Sequence, residues 1–285
     1  MNVEPDHFDC YANADSLLEA FGQFAARVPA SGVVVARKGC PATRRAVVDA
    51  SAELQTFSLA EDADWWATDL RERQGCYRFR VFYHGRYVTE IRLQVPGRHN
   101  VMNALAATAL CHWAGVRPAM IREGLEEFQG IRRRLEVLGS WRGVTLVSDY
   151  AHHPTEVRAT LAAARQMFGA WRIWCVFQPY QVSRTKALFD EFSESFEDAN
   201  RIVVAEVFCA REGAGSESLV LAALLGEAIR RRGGEVSDVY DFGEILRLLE
   251  SQFSPGDVLI AMGAGDVEKV CDAFTRRLQR HRRAG

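Results

Sequence analysis

The run Asp149-Tyr150-Ala151-His152-His153-Pro154-Thr155-Glu156 places two carboxylates, a phenol and two imidazoles in one short stretch. Pro154 suits the first turn of a helix, which leaves Asp149, His152 and His153 in the loop before it. Such a loop can bind an anion or move a proton. It can equally be a helix cap carrying two surface imidazoles. Two adjacent histidines directly after a strand favour the chemical reading. Zinc is disfavoured, because the usual His pair at i, i+4 and a Cys/His complement are absent.

Four further clusters could carry chemistry. In Pro96-Gly97-Arg98-His99-Asn100-Val101-Met102-Asn103, Asn100 and Asn103 are three apart at a helix start and share a face. Carboxamides offer both a donor and an acceptor, as a purine edge requires, although Asn100 alone also reads as a helix N-cap. Arg132-Arg133-Arg134 supplies guanidinium groups that match phosphate oxygens, with at least one of the three expected to be simply solvated. Arg184, in Gln178-Pro179-Tyr180-Gln181-Val182-Ser183-Arg184, is placed to hold a carboxylate. Asp6-His7-Phe8-Asp9 sets an imidazole between carboxylates, which fits Mg²⁺ or Mn²⁺, or a pH-sensitive surface loop. No Gly-x-x-x-x-Gly-Lys-Ser/Thr phosphate loop occurs, and Gly263-Ala264-Gly265-Asp266 reads as a tight turn.

The elements that must position these residues follow from periodicity. Ser16–Ala26 carries a helical apolar spacing and Gly32–Ala36 is a short buried-strand candidate. Cys76–Tyr83 and Tyr87–Val95 form a hairpin around His84-Gly85-Arg86, followed by helices at Asn100–Ala114 and Pro118–Phe128. After Gly130, strands at Val144–Ser148, Ile173–Phe177, Ile202–Glu206, Val236–Tyr240 and Val258–Ala261 alternate with helices. Those helices are Pro154–Phe168, Arg184–Glu197, Ser216–Arg232, Gly243–Phe253 and Val267–Arg280. The alternation predicts an α/β fold with a mainly parallel sheet, and a domain boundary at Gln129-Gly130. Ligands in such sheets lie beyond the carboxyl ends of the strands. That rule selects Asp149–His153, Gln178–Arg184, Phe208–Glu212 and Gly263–Asp266.

Composition narrows the classes. The 285 residues are 48% hydrophobic and 25% charged, which excludes a disordered chain. Thirty-five basic against 37 acidic side chains give a net charge of −2, so nothing points to nucleic acid. The basic run from Arg276 to Arg283 reads as a solvated helix end. No apolar stretch is long enough to span a bilayer and no signal peptide is visible. The cysteines (Cys10, Cys40, Cys76, Cys111, Cys175, Cys209, Cys271) are odd in number and scattered, as in a reducing cytoplasm. Cys175 and Cys209 fall in apolar runs and read as buried filler.

Taken in order, six runs resemble the Mur ligase family. They are Asn2 to Asp9, Pro96 to Asn103, Gly130 to Glu136, Asp149 to Glu156, Phe177-Gln178-Pro179 with Ser183-Arg184-Thr185, and Gly256-Asp257 with Gly263 to Asp266. The resemblance implies that residues 1–129 correspond to the second half of the family's central α/β ATPase domain. Residues 130–285 would be its complete Rossmann-like C-terminal domain. The family's UDP-binding domain and phosphate loop are expected before Met1, so the chain by itself is expected to be inactive.

Within the family the likeness is greatest to the branch that joins L-alanine to UDP-N-acetylmuramate, small-molecule partners both, with ATP and Mg²⁺. ATP phosphorylates the muramoyl carboxylate, and the amine then attacks the acyl phosphate. By the same resemblance, His7 corresponds to a Mg²⁺-ligating histidine, and His99, Asn100 and Asn103 to the adenine-contacting segment. Arg134 resembles the arginine that the C-terminal domain brings to the nucleotide, and Asp149 the aspartate that meets it there. Tyr150, His152, His153 and Arg184 fall where the amino acid and acyl group are expected, His152 among the catalytic groups. Tyr180-Gln181-Val182 stands where the family often has His-Arg-Tyr, and Ala151 where it often has Gly, which bears on selectivity. A ligase of the same family that reattaches recycled muropeptides shares the pattern. A non-catalytic nucleotide-binding module is the alternative from another class.

Overall fold

The computed structural model describes residues 2–209 and 216–284, with side chains described for 2–209 and 217–276. Contacts divide the chain into two compact units, residues 1–129 and 130–285.

The first unit begins with α1 (Ala14–Ala26), β1 (Val33–Arg37), α2 (Pro41–Ala46), β2 (Glu53–Ser58) and β3 (Trp65–Arg73). It continues with β4 (Cys76–Tyr83), β5 (Arg86–Pro96), α3 (Arg98–Trp113) and α4 (Pro118–Glu127). Asn13 starts α1: its side chain accepts the Ser16 N–H at 2.9 Å while Ser16 reaches back to the Asn13 N–H. The sheet runs β1-β2-β3-β4-β5, parallel from β1 to β3 and antiparallel from β3 to β5. The β4–β5 hairpin turns through His84 and Gly85, both at positive φ, the backbone that a two-residue hairpin turn needs. Alternate residues Phe79, Val81, Ile91 and Leu93 are buried and form one core with Val101, Leu105 and Ala109 of α3. Strands β2 and β3 are absent from the periodicity reading. Half of β3 is exposed and charged, and the buried Gln55 of β2 accepts the Trp65 indole N–H at 2.7 Å.

The second unit contains β6 (Glu136–Trp141), β7 (Val144–Asp149), α5 (Pro154–Phe168), β8 (Ile173–Phe177), α6 (Val182–Ala187) and α7 (Phe189–Ser193). There follow β9 (Arg201–Val204), α8 (Ser216–Arg231), β10 (Val236–Ser237), α9 (Phe242–Gln252), β11 (Val258–Met262) and α10 (Glu268–Ala284). The sheet order is β10-β9-β8-β11-β7-β6, with every pair parallel except β6–β7. All five residues of β8 and of β11 are buried, as expected where helices cover both faces.

Three expectations are corrected, and one strand is added. The helix predicted over Arg184–Glu197 is two short ones, α6 and α7, because Leu188 leaves the helical region (φ −114°, ψ 26°) and buries its side chain. The predicted strand Val236–Tyr240 pairs with β9 only at Val236 and Ser237. Strand β6 is the addition; its pairing with β7 shifts register between Val137 and Gly139, which breaks the alternation. Cys209 is half-buried in the loop after β9, whereas Cys175 is fully buried in β8 and its thiol is pushed up by burial. Glu212, and the side chains of the basic run from 277 to 283, lie outside the described residues. Among the described residues no helix is long and apolar enough to cross a membrane.

Candidate functional site

In the second unit, the site is assembled at the carboxyl end of β7. Asp149 ends the strand with its carboxylate buried. One oxygen accepts the Leu135 N–H at 2.7 Å; the other accepts the Ala151 N–H at 2.8 Å and the Thr160 hydroxyl at 3.2 Å. Burial pushes this carboxyl up from its ordinary range, while the two N–H donors, the charge of Arg134 and Thr160 pull it back. Its oxygens therefore meet backbone and a hydroxyl inside the fold. The aspartate fixes the turn at 133–135 to the strand end.

That turn is unusual in its backbone. Arg133 and Leu135 both have positive φ, 57° and 47°, a conformation that costs a non-glycine residue free energy. Tyr150 N–H donates to the Arg133 carbonyl at 2.7 Å, and Arg133 N–H donates to Glu136 at 2.8 Å. Between the two left-handed residues, Arg134 projects outward. Its side chain is 46% exposed, with the guanidinium 3.4 Å from Glu156 and 5.6 Å from the centre of the Tyr150 ring. Arg133 turns the other way, with Nη2 donating to the carbonyls of Gly263 (2.7 Å) and Gly265 (3.2 Å). Arg132 is exposed and makes no ion pair among the described residues, in line with a solvated member of the run.

His152 is mostly buried beside this turn. Its Nδ1 lies 2.9 Å from the Tyr150 carbonyl and 3.5 Å from Glu156, and its ring meets Tyr150 and Tyr180 edge-on. A carbonyl can only accept, so Nδ1 is the donor in this contact. His153 is the N-cap of α5, its Nδ1 accepting the Thr155 N–H at 3.3 Å. Arg184 is buried in α6, with its guanidinium donating to the Tyr180 carbonyl at 3.3 Å and stacked 5.4 Å from the Tyr180 ring.

The loop after β11 closes the same edge of the sheet. A Cβ on Gly263 would lie 2.6 Å from the Gln178 carbonyl oxygen, and one on Gly265 would lie 2.4 Å from Gln178 Oε1 and 2.7 Å from Phe208. Glycine is required at both for this close approach. Gln178 donates to Asp266 (2.9 Å) and accepts the Val267 N–H (3.0 Å). A cavity of about 330 Å³ opens here between Gln178, Glu206, Phe208, Ser218, Tyr240 and Asp266. A larger one, about 550 Å³, lies at the opposite, amino ends of β9 and β10. There Arg232 is already paired with Glu194 and Ser193.

In the first unit, Gly97 and not Asn100 is the N-cap of α3, with φ 101°. Asn100 sits inside the first turn and donates to the Pro96 carbonyl at 2.7 Å, and its own carbonyl accepts from Asn103 at 3.0 Å. The two carboxamides do share a face. Asn103 and His99 are exposed. His7, at φ 54°, is exposed and lies 3.8 Å from Asp6, whose carboxylate also accepts the His7 N–H. Among the described residues no group of three or more His, Cys, Asp and Glu is arranged to hold a metal. One imidazole and one carboxylate still fit a Mg²⁺ ion that keeps its waters and phosphate oxygens.

Sequence reasoning missed the roles of Arg133, Thr160 and Leu135. Each acts through a contact between residues far apart in the chain, for which a local motif gives no signal.

The Mur ligase middle-domain family matches residues 1–111, and the Mur ligase glutamate ligase domain matches residues 133–265. The UDP-N-acetylmuramate–L-alanine ligase of Caldanaerobacter subterraneus subsp. tengcongensis is 38% identical over 275 residues, 96% of this chain and 59% of its own length. The crystal structure of UDP-N-acetylmuramate–alanine ligase from Thermotoga maritima superposes with a TM-score of 0.77 at 25% identity, over 98% of this chain and 59% of that one. The MurF ligase of Thermotoga maritima, solved in complex with ADP, shares the fold (TM-score 0.73, 17% identity, 98% of this chain and 61% of that one). This chain thus spans about three-fifths of the length of the relatives it matches. It belongs to the Mur ligase family, and carries that family's middle-domain and C-terminal-domain folds.

Proposed function

We propose that this chain serves an ATP-dependent acid–amino-acid ligase of peptidoglycan precursor synthesis, which joins L-alanine to UDP-N-acetylmuramate. The observation that carries the reading is the exposed Arg134, presented between two left-handed residues at the carboxyl end of β7 beside Tyr150 and His152. The identity to L-alanine ligases supports the choice of substrates. In this reaction the γ-phosphoryl group of ATP passes to a carboxylate oxygen, giving ADP and an acyl phosphate. The amine nitrogen then attacks the acyl carbon, inorganic phosphate leaves, and the nitrogen loses a proton.

The chain's own residues would act as follows. Arg134 neutralises charge on the phosphoryl oxygens and Asp149 holds the turn that aims it. His152, through Nε2, takes the amine proton. Tyr150, His153 and Arg184 shape the acceptor side, Arg184 and His153 through the loops they fix. Asn103 and His99 present polar edges to the adenine, with Asn100 holding Asn103 in place. Mg²⁺, held by His7 with Asp6, would supply a Lewis acid for the phosphates.

The test is ADP release by the polypeptide as its source cells make it. Release that needs both UDP-N-acetylmuramate and L-alanine supports the reading. Release that ignores L-alanine refutes the substrate assignment, and release that follows a tripeptide instead identifies the muropeptide-recycling reaction. Binding of an ATP analogue without any turnover would identify the non-catalytic module.

A further inference from the structure

Arg133 neighbours the proposed phosphate-binding arginine but turns away from solvent. Its Nη2 bridges two carbonyls, of Gly263 and Gly265, from a loop 130 residues further along the chain. Its guanidinium also lies 3.3 Å from Glu268 and 4.8 Å from the centre of the Tyr150 ring. Its backbone carbonyl accepts the Tyr150 N–H, and its backbone N–H donates to Glu136. One residue thus joins the entry turn, the end of β7 and the loop after β11. The side chain is only 22% exposed.

We infer that Arg133 is a positioning residue: by clamping the Gly263–Gly265 loop and the Tyr150 ring it fixes the direction in which Arg134 projects. Both carbonyl bonds leave from one nitrogen, Nη2, while Nε faces the Glu268 carboxylate and the plane of the group faces the Tyr150 ring. A guanidinium presents separate nitrogens and a flat face to these three directions at once. An ammonium at the end of a lysine stem keeps the charge but is a point donor. The strained backbone on either side of Arg134 explains why a clamp is needed. With φ positive at 133 and 135, the turn has a conformational preference to relax, and relaxation would swing Arg134.

The inference rests on the ligase reading, and the experiment separates the two. Arg133→Lys, Arg133→Ala and Arg134→Ala are made in the polypeptide as its cells produce it. ADP release is measured against ATP and L-alanine, together with thermal unfolding of each variant. A misplaced catalytic group costs on the order of 100-fold in turnover. Arg133→Lys is expected to lower kcat by about 10- to 100-fold, to leave KM for ATP within about twofold, and to unfold at nearly the wild-type temperature. Arg134→Ala is expected to lower kcat further.

Full kcat in Arg133→Lys, with Arg134→Ala inactive, overturns the positioning role and leaves the ligase reading standing. A loss confined to Arg133→Ala that follows its unfolding temperature overturns it as well, since packing alone would explain that. Wild-type turnover in Arg134→Ala removes both the reading of this turn and the inference built on it.

Discussion

The two candidate regions are built by opposite means. In the second unit, the turn bearing Arg134 is held by contacts between residues far apart: Asp149 with Leu135, Arg133 with Gly263 and Gly265, Gln178 with Asp266. Most of those groups are buried or half-buried. In the first unit the polar face of α3 is held by neighbours, Asn100 with Pro96 four residues earlier and Asn103 with Asn100 three residues earlier. His99, Asn103 and His7 stand exposed. The difference matches the two tasks proposed for them. A nucleotide edge can be read by exposed side chains on a preformed helix, whereas a group that meets developing charge must be fixed in direction by its surroundings.

The comparison breaks most readily at Asp149. Asp149→Ala would leave the Leu135 and Ala151 N–H groups and the Thr160 hydroxyl buried without their acceptor, a loss on the order of 3 kcal/mol or more. Urea denaturation should show it. A loss below about 0.5 kcal/mol would mean that the turn is held without it.

Gly265→Ala comes next. Its Cβ would press on Gln178 Oε1 and Phe208, so the loop that accepts from Arg133 must shift, for about 1–3 kcal/mol in the same measurement.

A third test reaches the foot of the same sheet. Arg172 donates to both oxygens of Asp257 (2.9 and 2.6 Å), and the Ser254 N–H and Trp174 indole donate to the same carboxylate. Burial opposes ionisation, but these donors outweigh it and hold the Asp257 carboxyl below the usual range. A depressed folded pKa means that Asp257 contributes stability in full above its unfolded value of about 4, and loses it as pH falls through the folded value. The melting temperature of the second unit should therefore drop in acid, and Asp257→Asn should flatten that drop. An unchanged acid profile in the variant would assign the loss to other carboxylates. The smallest stability effect is expected at Asn103→Ala, within about 0.5 kcal/mol, because the side chain is exposed and makes one neighbour contact.

These differences also explain what was legible in the sequence. The alternation of buried apolar strands with helices gave the second unit its topology, since Ile173–Phe177 and Val258–Met262 are buried throughout. Helix α5 was found to the residue because Pro154 starts it and Gly169 ends it. Strands β2 and β3 were missed because Glu53, Gln55 and the charged end of β3 hide the period. At the site, the residue types were visible but their partners were not. Nothing in the run Arg132-Arg133-Arg134 distinguishes the solvated, the clamping and the projecting arginine. That distinction is made by Gly263 and Gly265, which reach the turn only through the sheet.

On the proposed reading, the second unit presents a charge-stabilising arginine while α3 of the first unit reads the nucleotide. Steady-state ADP release with varied ATP, compared between Arg134→Ala and Asn103→Ala, tests it most directly. Arg134→Ala is expected to lower kcat by about 100-fold or more with KM for ATP little changed. Asn103→Ala is expected to raise KM for ATP and spare kcat. A variant Arg134→Ala that alters only KM, or leaves both constants at wild-type values, would contradict it.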